Sequence, residues 1–179
     1  QRQMCIRDRV SRIVTGMIQL FLWDDPDVSL DDFKLTLNNI AGLSNKLSKA
    51  VQEGLDEAKG RQESIDDLDP TEKTVIGIKV ESYIRDGLSL SRGKDCDCKI
   101  EDFEFDIKTT VRNNWMISPK QVRNKSLLLL IKLDDIKFSC GIVKVSEDIL
   151  NKGANRDKKR TISNTGKDKI IWILKDKRY

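Results

Sequence analysis

Between Asp95 and Lys108 the chain reads DCDCKIEDFEFDIK, and its acids and terminal lysine are spaced in a way that suits metal chemistry. Phe103, Phe105 and Ile107 alternate with Glu104, Asp106 and Lys108 at the strand period of two, which predicts a short β-hairpin turning at Glu101-Asp102. With the turn centred there, Asp97 falls directly across from Asp106. Two carboxylates facing each other at about 5 Å repel and weaken a sheet unless a cation sits between them. Lys108 lies two residues beyond Asp106 and points to the same face. Two acids and a lysine on one sheet face can hold a divalent metal and poise a water beside it. That chemistry suits a metal-dependent phosphodiesterase. The competing reading is a solvated, salt-bridged strand, with Glu104 and Lys99 as an exposed cross-strand pair. Asp95, Glu101 and Asp102 are read as turn and flank residues.

Composition narrows the alternatives. The 179 residues contain no histidine, which excludes Ser-His-Asp and Cys-His triads, histidine-metal nucleases and zinc deaminases. Cys5, Cys96, Cys98 and Cys140 lack the spacing of a zinc site. Cys96 and Cys98 alternate with Asp97 and are expected to face the core as free thiols, in keeping with a reducing cytoplasm. No stretch reaches the roughly 18 apolar residues of a membrane span. Net charge is only +4, but it is unevenly spread. Asp24 to Glu72 holds thirteen acids against five bases, whereas Lys152 to Tyr179 holds ten bases against three acids. The basic end suits a polyanion such as nucleic acid; a solvated lysine-rich surface is the alternative.

The elements that must position the hairpin are legible in part. Ser29 with Asp32 makes a capping box for a helix carrying Phe33, Leu35, Leu37, Ile40, Leu43 and Leu47, running towards a break at Gly54–Gly60. A second helix starts at Asp69, with Pro70 at its first position and Glu72 completing the box. Its buried face is Ile76, Val80, Tyr83 and Ile84, it stops at Gly87, and Glu81 lies beside that face. Gly77 in this helix costs about 1 kcal/mol relative to alanine, which suggests close packing there. Leu127 to Leu133 (LLLLIKL) reads as a strand buried on both faces. Asp134-Asp135 turns the chain into a returning strand, Phe138 to Val145. Lys152 to Arg160 is expected to be a charged loop, and Ile170 to Leu174 a further apolar run. The fold class is therefore α/β or α+β, with a mixed central β-sheet flanked by helices.

Asp97 and Asp106-Ile107-Lys108 follow the PD-(D/E)xK nuclease pattern, with Cys96 in the place of the proline. Joined to TEKTVIGIKVE (Thr71–Glu81), WMISP (Trp115–Pro119) and NRDKKRTIS (Asn155–Ser163), the pattern resembles the catalytic domain of NaeI-type type II restriction endonucleases, and more distantly the MutH nicking enzyme. The resemblance runs from about Ser29 to Lys175. It implies a restriction-endonuclease-like core and Mg²⁺, with Mn²⁺ as a substitute. Asp97 and Asp106 would be the metal carboxylates, Ile107 would offer its backbone carbonyl, and Glu81 would act near the metal, through a water if not directly. Lys108 would be the active-site lysine, and cleavage would leave 5′-phosphate and 3′-hydroxyl ends. It also implies double-stranded DNA as substrate, a homodimer, and a further C-terminal DNA-binding domain in full-length relatives.

Candidate DNA contacts are Arg112, Asn113, Asn114, Lys120 and Arg123 after the active strand, and Asn155, Arg156, Lys158, Lys159 and Arg160 near the end. Trp115 and Trp172 are read as core. The expected organisation is a non-native, adapter-like leader over 1–9, an unassigned segment over 10–28, an endonuclease domain over 29–175, and the start of a linker or a truncated end over 176–179. The first reading is a site-specific endonuclease of a restriction–modification system. A nicking repair enzyme, or a DNA-binding module or fragment without catalysis, stands as the alternative.

Overall fold

The computed structural model describes residues 29–179. The leader and the segment up to residue 28, including Cys5, lie outside the described residues. Among the described residues no helix is long and apolar enough to cross a membrane.

Three helices come first. Helix α1 (Leu30–Asn38) is capped by Ser29, whose side chain accepts from the Asp32 amide, the first half of the expected capping box. It does not continue to residue 54. Gly42 takes a left-handed φ of 69° and opens a separate helix, α2 (Leu43–Lys59), which Gly60 ends at φ 58°. The break expected over Gly54–Gly60 falls at Gly60, while Gly54 is a point of close contact inside α2. Helix α3 (Pro70–Gly87) has the predicted bounds: Asp69 accepts from the Thr71 and Glu72 amides, and Glu72 reaches back to the Asp69 amide at 2.8 Å. Ile76, Val80 and Ile84 are its fully buried stripe.

The strands follow. β1 (Cys98–Ile100) and β2 (Phe103–Thr110) form the predicted hairpin, pairing Cys98 with Phe105, Lys99 with Glu104 and Ile100 with Phe103. Glu101 turns it at φ 49°. After β3 (Met116–Ile117) and the short helix α4 (Pro119–Arg123) come β4 (Leu127–Leu133) and β5 (Lys137–Lys144). Asp134 Oδ1 makes the tight turn between them by accepting from the Ile136 and Lys137 amides. The stretch read as a charged loop is a second hairpin, β6 (Leu150–Ala154) and β7 (Arg160–Ile162). Helix α5 (Asn164–Lys167) leads into β8 (Ile171–Arg178). This strand passes Lys175, where the domain was expected to close, and Tyr179 stacks on Phe138 with ring centroids 5.9 Å apart.

A five-stranded mixed sheet in the order β1-β2-β4-β5-β8 is the frame. Only β2 and β4 are parallel, and the α/β class predicted from sequence holds. β4 is apolar at nearly every position because both of its faces are covered. Leu127, Leu129, Ile131 and Leu133 join the core under α1–α3, while Leu128 and Leu130 join a second core. That second core is closed by Trp115, Ile117, Leu150 and Ile162, which come from the small sheet β3-β7-β6 and its flanks. Trp115 is buried and its indole N–H donates to the Ile131 carbonyl at 3.0 Å. Trp172 packs against it, so both tryptophans serve the core.

Helix α2 crosses α3 closely at Gly54, where an added Cβ would stand 2.8 Å from the Val80 Cα. The obstruction is backbone and cannot swing aside. Gly54→Ala should therefore destabilise the fold by about 1–3 kcal/mol in a urea melt, although alanine is the better helix former. A neutral or stabilising result would mean that the two helices can separate freely.

Candidate active site

The hairpin is short, and this shapes the site. β1 pairs with β2 only as far as Phe105, so among the described residues the edge of β2 from Asp106 to Thr110 carries no strand on that side. Helix α3 stands beside this edge: the Thr109 backbone N–H is close enough to the Glu81 carboxylate to favour its charged form, a smaller effect than burial. Glu81 is three residues before Ile84 and one after Val80, at the border of the buried stripe, and is itself half-buried.

The register places Asp97 across from Asp106 in the sense expected, since the last ladder pair is Cys98 with Phe105. Their hydrogen bond runs through the backbone of Asp97. The Asp97 amide N–H donates to Asp106 Oδ1 at 3.1 Å, and the Asp97 side chain is exposed. Asp106 is only 8 % exposed, yet both its oxygens are satisfied, because Gln121 Nε2 donates to Oδ2 at 2.6 Å. Ile107 turns its side chain into the helix-side core, and Lys108 is half-buried.

Electrostatics tie these groups together. The Glu81 carboxyl is pushed up to about 7, first by burial. Lys108 opposes the shift, while the charges of Asp97 and Asp106 add to it. Three acids and one lysine thus feel one another around the open edge of β2. Among the described residues no group of three or more Cys, Asp or Glu side chains converges closely enough to hold a metal ion. The donor set still fits magnesium, which prefers carboxylate oxygens and keeps several waters. A bound cation would also relieve the repulsion that the two aspartates impose on Glu81.

A cleft of about 600 Å³ opens beside Glu81 and Lys108, walled by α3 and by the loop from β2 to β3. Arg112 and Lys159 line it, as does Lys73, which the sequence reading passed over. Lys73, Gly77 and Glu81 are spaced by four and share one helix face, a signal that was available. Gly77 is open to this cleft: no atom lies within 4 Å of where its Cβ would be, so the expected close packing is absent among the described residues.

The remaining basic candidates divide. Asn113 and Arg123 are exposed, as are Arg156 and Lys158 at the tip of the β6–β7 hairpin. Lys120 is exposed and donates to the Asp95 carbonyl. Asn114 lines the cleft and also braces the fold. Its Nδ2 donates to the Ile162 carbonyl at 2.9 Å, and its Oδ1 accepts from the Ile162 and Trp115 amides. Asn155 Oδ1 accepts from the Lys159 amide and shapes the hairpin turn. Arg160 pairs with Glu147 and with the Asn151 carbonyl.

Among the thiols, Cys98 and Cys140 are fully buried and each is pushed up to about 12, chiefly by burial. Cys96 is only half-buried, not a core residue, and burial followed by the nearby Asp106 charge raises it to about 11. All three are neutral thiols at ordinary pH and poor metal ligands.

Sequence comparison decides the family. The family described as restriction endonuclease NaeI matches residues 37–178. The chain belongs to that family. It is 25% identical over 157 residues to the type II restriction enzyme NaeI of Lentzea aerocolonigenes, an alignment that covers 85% of this chain and 49% of that enzyme. The chain therefore spans about half the length of the curated relative it matches. The matched range contains Glu81, Asp97, Asp106, Lys108 and the cleft.

Burial of Glu81 has a consequence for stability. The unfolded carboxyl titrates near 4.5 and the folded one near 7, so the folded state holds the extra proton between them. Stability of the metal-free protein then falls as pH rises from 4.5 through 7. Glu81→Gln cannot ionise, so its stability relative to the wild type should climb over that interval and level off above it. The gain should be on the order of 3 kcal/mol. Urea melts without divalent metal between pH 4.5 and 8 measure the difference; parallel curves would show that Glu81 titrates normally.

Proposed function

We propose that this chain is the catalytic domain of a Mg²⁺-dependent, site-specific endonuclease that cuts double-stranded DNA, as part of a restriction–modification system. The observation that carries the reading is the gathering of Glu81, Asp97, Asp106 and Lys108 around the open edge of β2, within a chain of the NaeI family. The cleft beside them has a basic rim of Lys73, Arg112 and Lys159, which suits a phosphodiester backbone.

Asp97, Asp106 and the Ile107 carbonyl would hold the metal, with Glu81 taking part directly or through a water. When bound, Mg²⁺ supplies Lewis-acid polarisation of the phosphodiester and makes a bound water more acidic. Lys108 hydrogen-bonds the attacking water and offsets negative charge that develops on the phosphorus oxygens. The water oxygen would add to phosphorus as the bond to the 3′ oxygen breaks; the water gives up one proton to solvent and the departing 3′ oxygen takes one up, leaving a 5′-phosphate and a 3′-hydroxyl. Arg112 and Lys159 steer and clamp the backbone through charge, a sequence-independent task. Arg156 and Lys158 at the hairpin tip, with Asn113, Lys120 and Arg123, are placed to extend the contact beyond the cleft. Arg160 and Asn114 contribute by fixing the second sheet instead. Exposed at the tip, Asn155 acts through the turn it closes.

A palindromic recognition site would favour a two-fold dimer, with one cleft for each strand. Plasmid cleavage by purified protein, with and without Mg²⁺, tests the assignment. Asp106→Ala and Lys108→Ala should each lower the cleavage rate by at least a hundredfold, with circular dichroism unchanged. Discrete fragments from the wild type support site-specific double-strand cleavage. Nicked circles alone would favour a strand-nicking repair enzyme, and full activity in Lys108→Ala would sink the assignment.

A further inference from the structure

Asp106 is the most enclosed acid of the site, and its carboxylate is oriented by one side chain from outside the hairpin. Gln121 is 6 % exposed and stands at the third position of α4. Its Oε1 accepts from the Ser118 backbone N–H at 3.0 Å and from the Ser118 hydroxyl at 3.1 Å. A backbone N–H can only donate, so the amide is locked with its oxygen towards Ser118 and its nitrogen towards Asp106. Nε2 then donates to Asp106 Oδ2 at 2.6 Å. The opposite oxygen, Oδ1, takes the Asp97 amide at 3.1 Å. Each carboxylate oxygen has one donor and keeps a second lone pair for another partner.

We propose that Gln121 is a positioning residue that fixes the rotamer of the Asp106 carboxylate for a divalent cation. This inference rests on the metal reading of the site given above. The physical case is preorganisation. A carboxylate on a strand rotates about χ1 and χ2, and a cation that must first order it binds less tightly. Gln121 removes that freedom with a side chain that is itself held at both ends, by the capping box and by Asp106. Loss of such outer-shell partners typically costs 10–100-fold in metal affinity. The same amide links the carboxylate to α4, which directly follows β3 of the small sheet, so the site is braced against the element that closes the second core.

The test separates positioning from helix capping. Mn²⁺ binding to the metal-free full chain would be followed by loss of the free-ion electron paramagnetic resonance signal, alongside thermal melts. Gln121→Met preserves length but donates nothing, and Gln121→Asn is one methylene too short to span Ser118 and Asp106. Both should bind Mn²⁺ 10–100-fold more weakly than the wild type. Ser118→Ala removes the capping hydroxyl yet leaves the backbone N–H on Oε1. It should lower the melting temperature while keeping Mn²⁺ affinity within about twofold, as expected of a cap that acts on the helix end alone. Wild-type affinity in folded Gln121→Met and Gln121→Asn would overturn the inference, as would a loss in Ser118→Ala equal to theirs. Asp106→Asn serves as the reference. If it binds Mn²⁺ as the wild type does, the metal reading itself fails and the role of Gln121 falls with it.

Discussion

β1 covers three residues of β2 and then leaves it, and the site depends on that early departure. A strand edge without a partner exposes N–H groups that must be satisfied by something else. Here the Thr109 N–H lies near the carboxylate of Glu81, delivered by a helix whose buried stripe runs one residue to the side. A longer hairpin would have paired Thr109 with backbone and left Glu81 facing a sealed edge. The same departure frees the Asp97 amide to turn inward onto Asp106. One truncated ladder therefore brings a helix acid, a strand acid and the preceding strand's backbone to the same place.

Enclosure on the other side comes from the two-faced packing of β4. Because Leu128 and Leu130 project into the second core, the small sheet must lie against that face to cover them. Asp106 and Lys108 are the register partners of Leu128 and Leu130 in the parallel ladder, so they stand at the margin of the same layer. The burial that raises the Glu81 carboxyl is thus part of the fold's hydrophobic economy and was not added locally. Asp106 is tolerated there because it accepts two hydrogen bonds, without which an enclosed carboxylate would be costly.

Legibility in the sequence followed the range of the interaction. The β1–β2 register came out residue for residue because one face is buried and a slip by one would expose Phe105 and Ile107. Helix α3 was bounded correctly by Asp69, Pro70 and Glu72, whose bonds are all local. The break at Gly42 was hidden because the apolar spacing carries on across it, through Ile40, Leu43 and Leu47. Four non-helical residues, Asn39 to the left-handed Gly42, separate the two helices. The β6–β7 hairpin was hidden by its own composition, since four of the five strand residues of β6 and the whole turn are exposed and polar or small. Asn114 looked like a base-reading residue because its side chain could serve either purpose. Its actual partners lie 48 positions away on β7, and no local pattern encodes that. Gln121 shows both cases in one residue. The capping box with Ser118 is local and readable, while the bond to Asp106 is tertiary and is not.

Charge gives the arrangement its direction. Around the edge of β2, burial raises Glu81 and the two aspartates push it further, with Lys108 alone pulling back. The local balance is negative even though the cleft rim carries Lys73, Arg112 and Lys159. Acids beside a cleft lined by bases sort ligands by charge: a polyanion is drawn to the bases, and the acids favour a small cation next to it. Neither ligand is well accommodated alone, since phosphates would meet uncompensated acids and a cation would leave the rim without counter-charge. Bound together, each supplies the charge the other lacks. On this electrostatic ground, the metal and nucleic acid of the proposed function should bind cooperatively, with each raising the affinity for the other by the same factor.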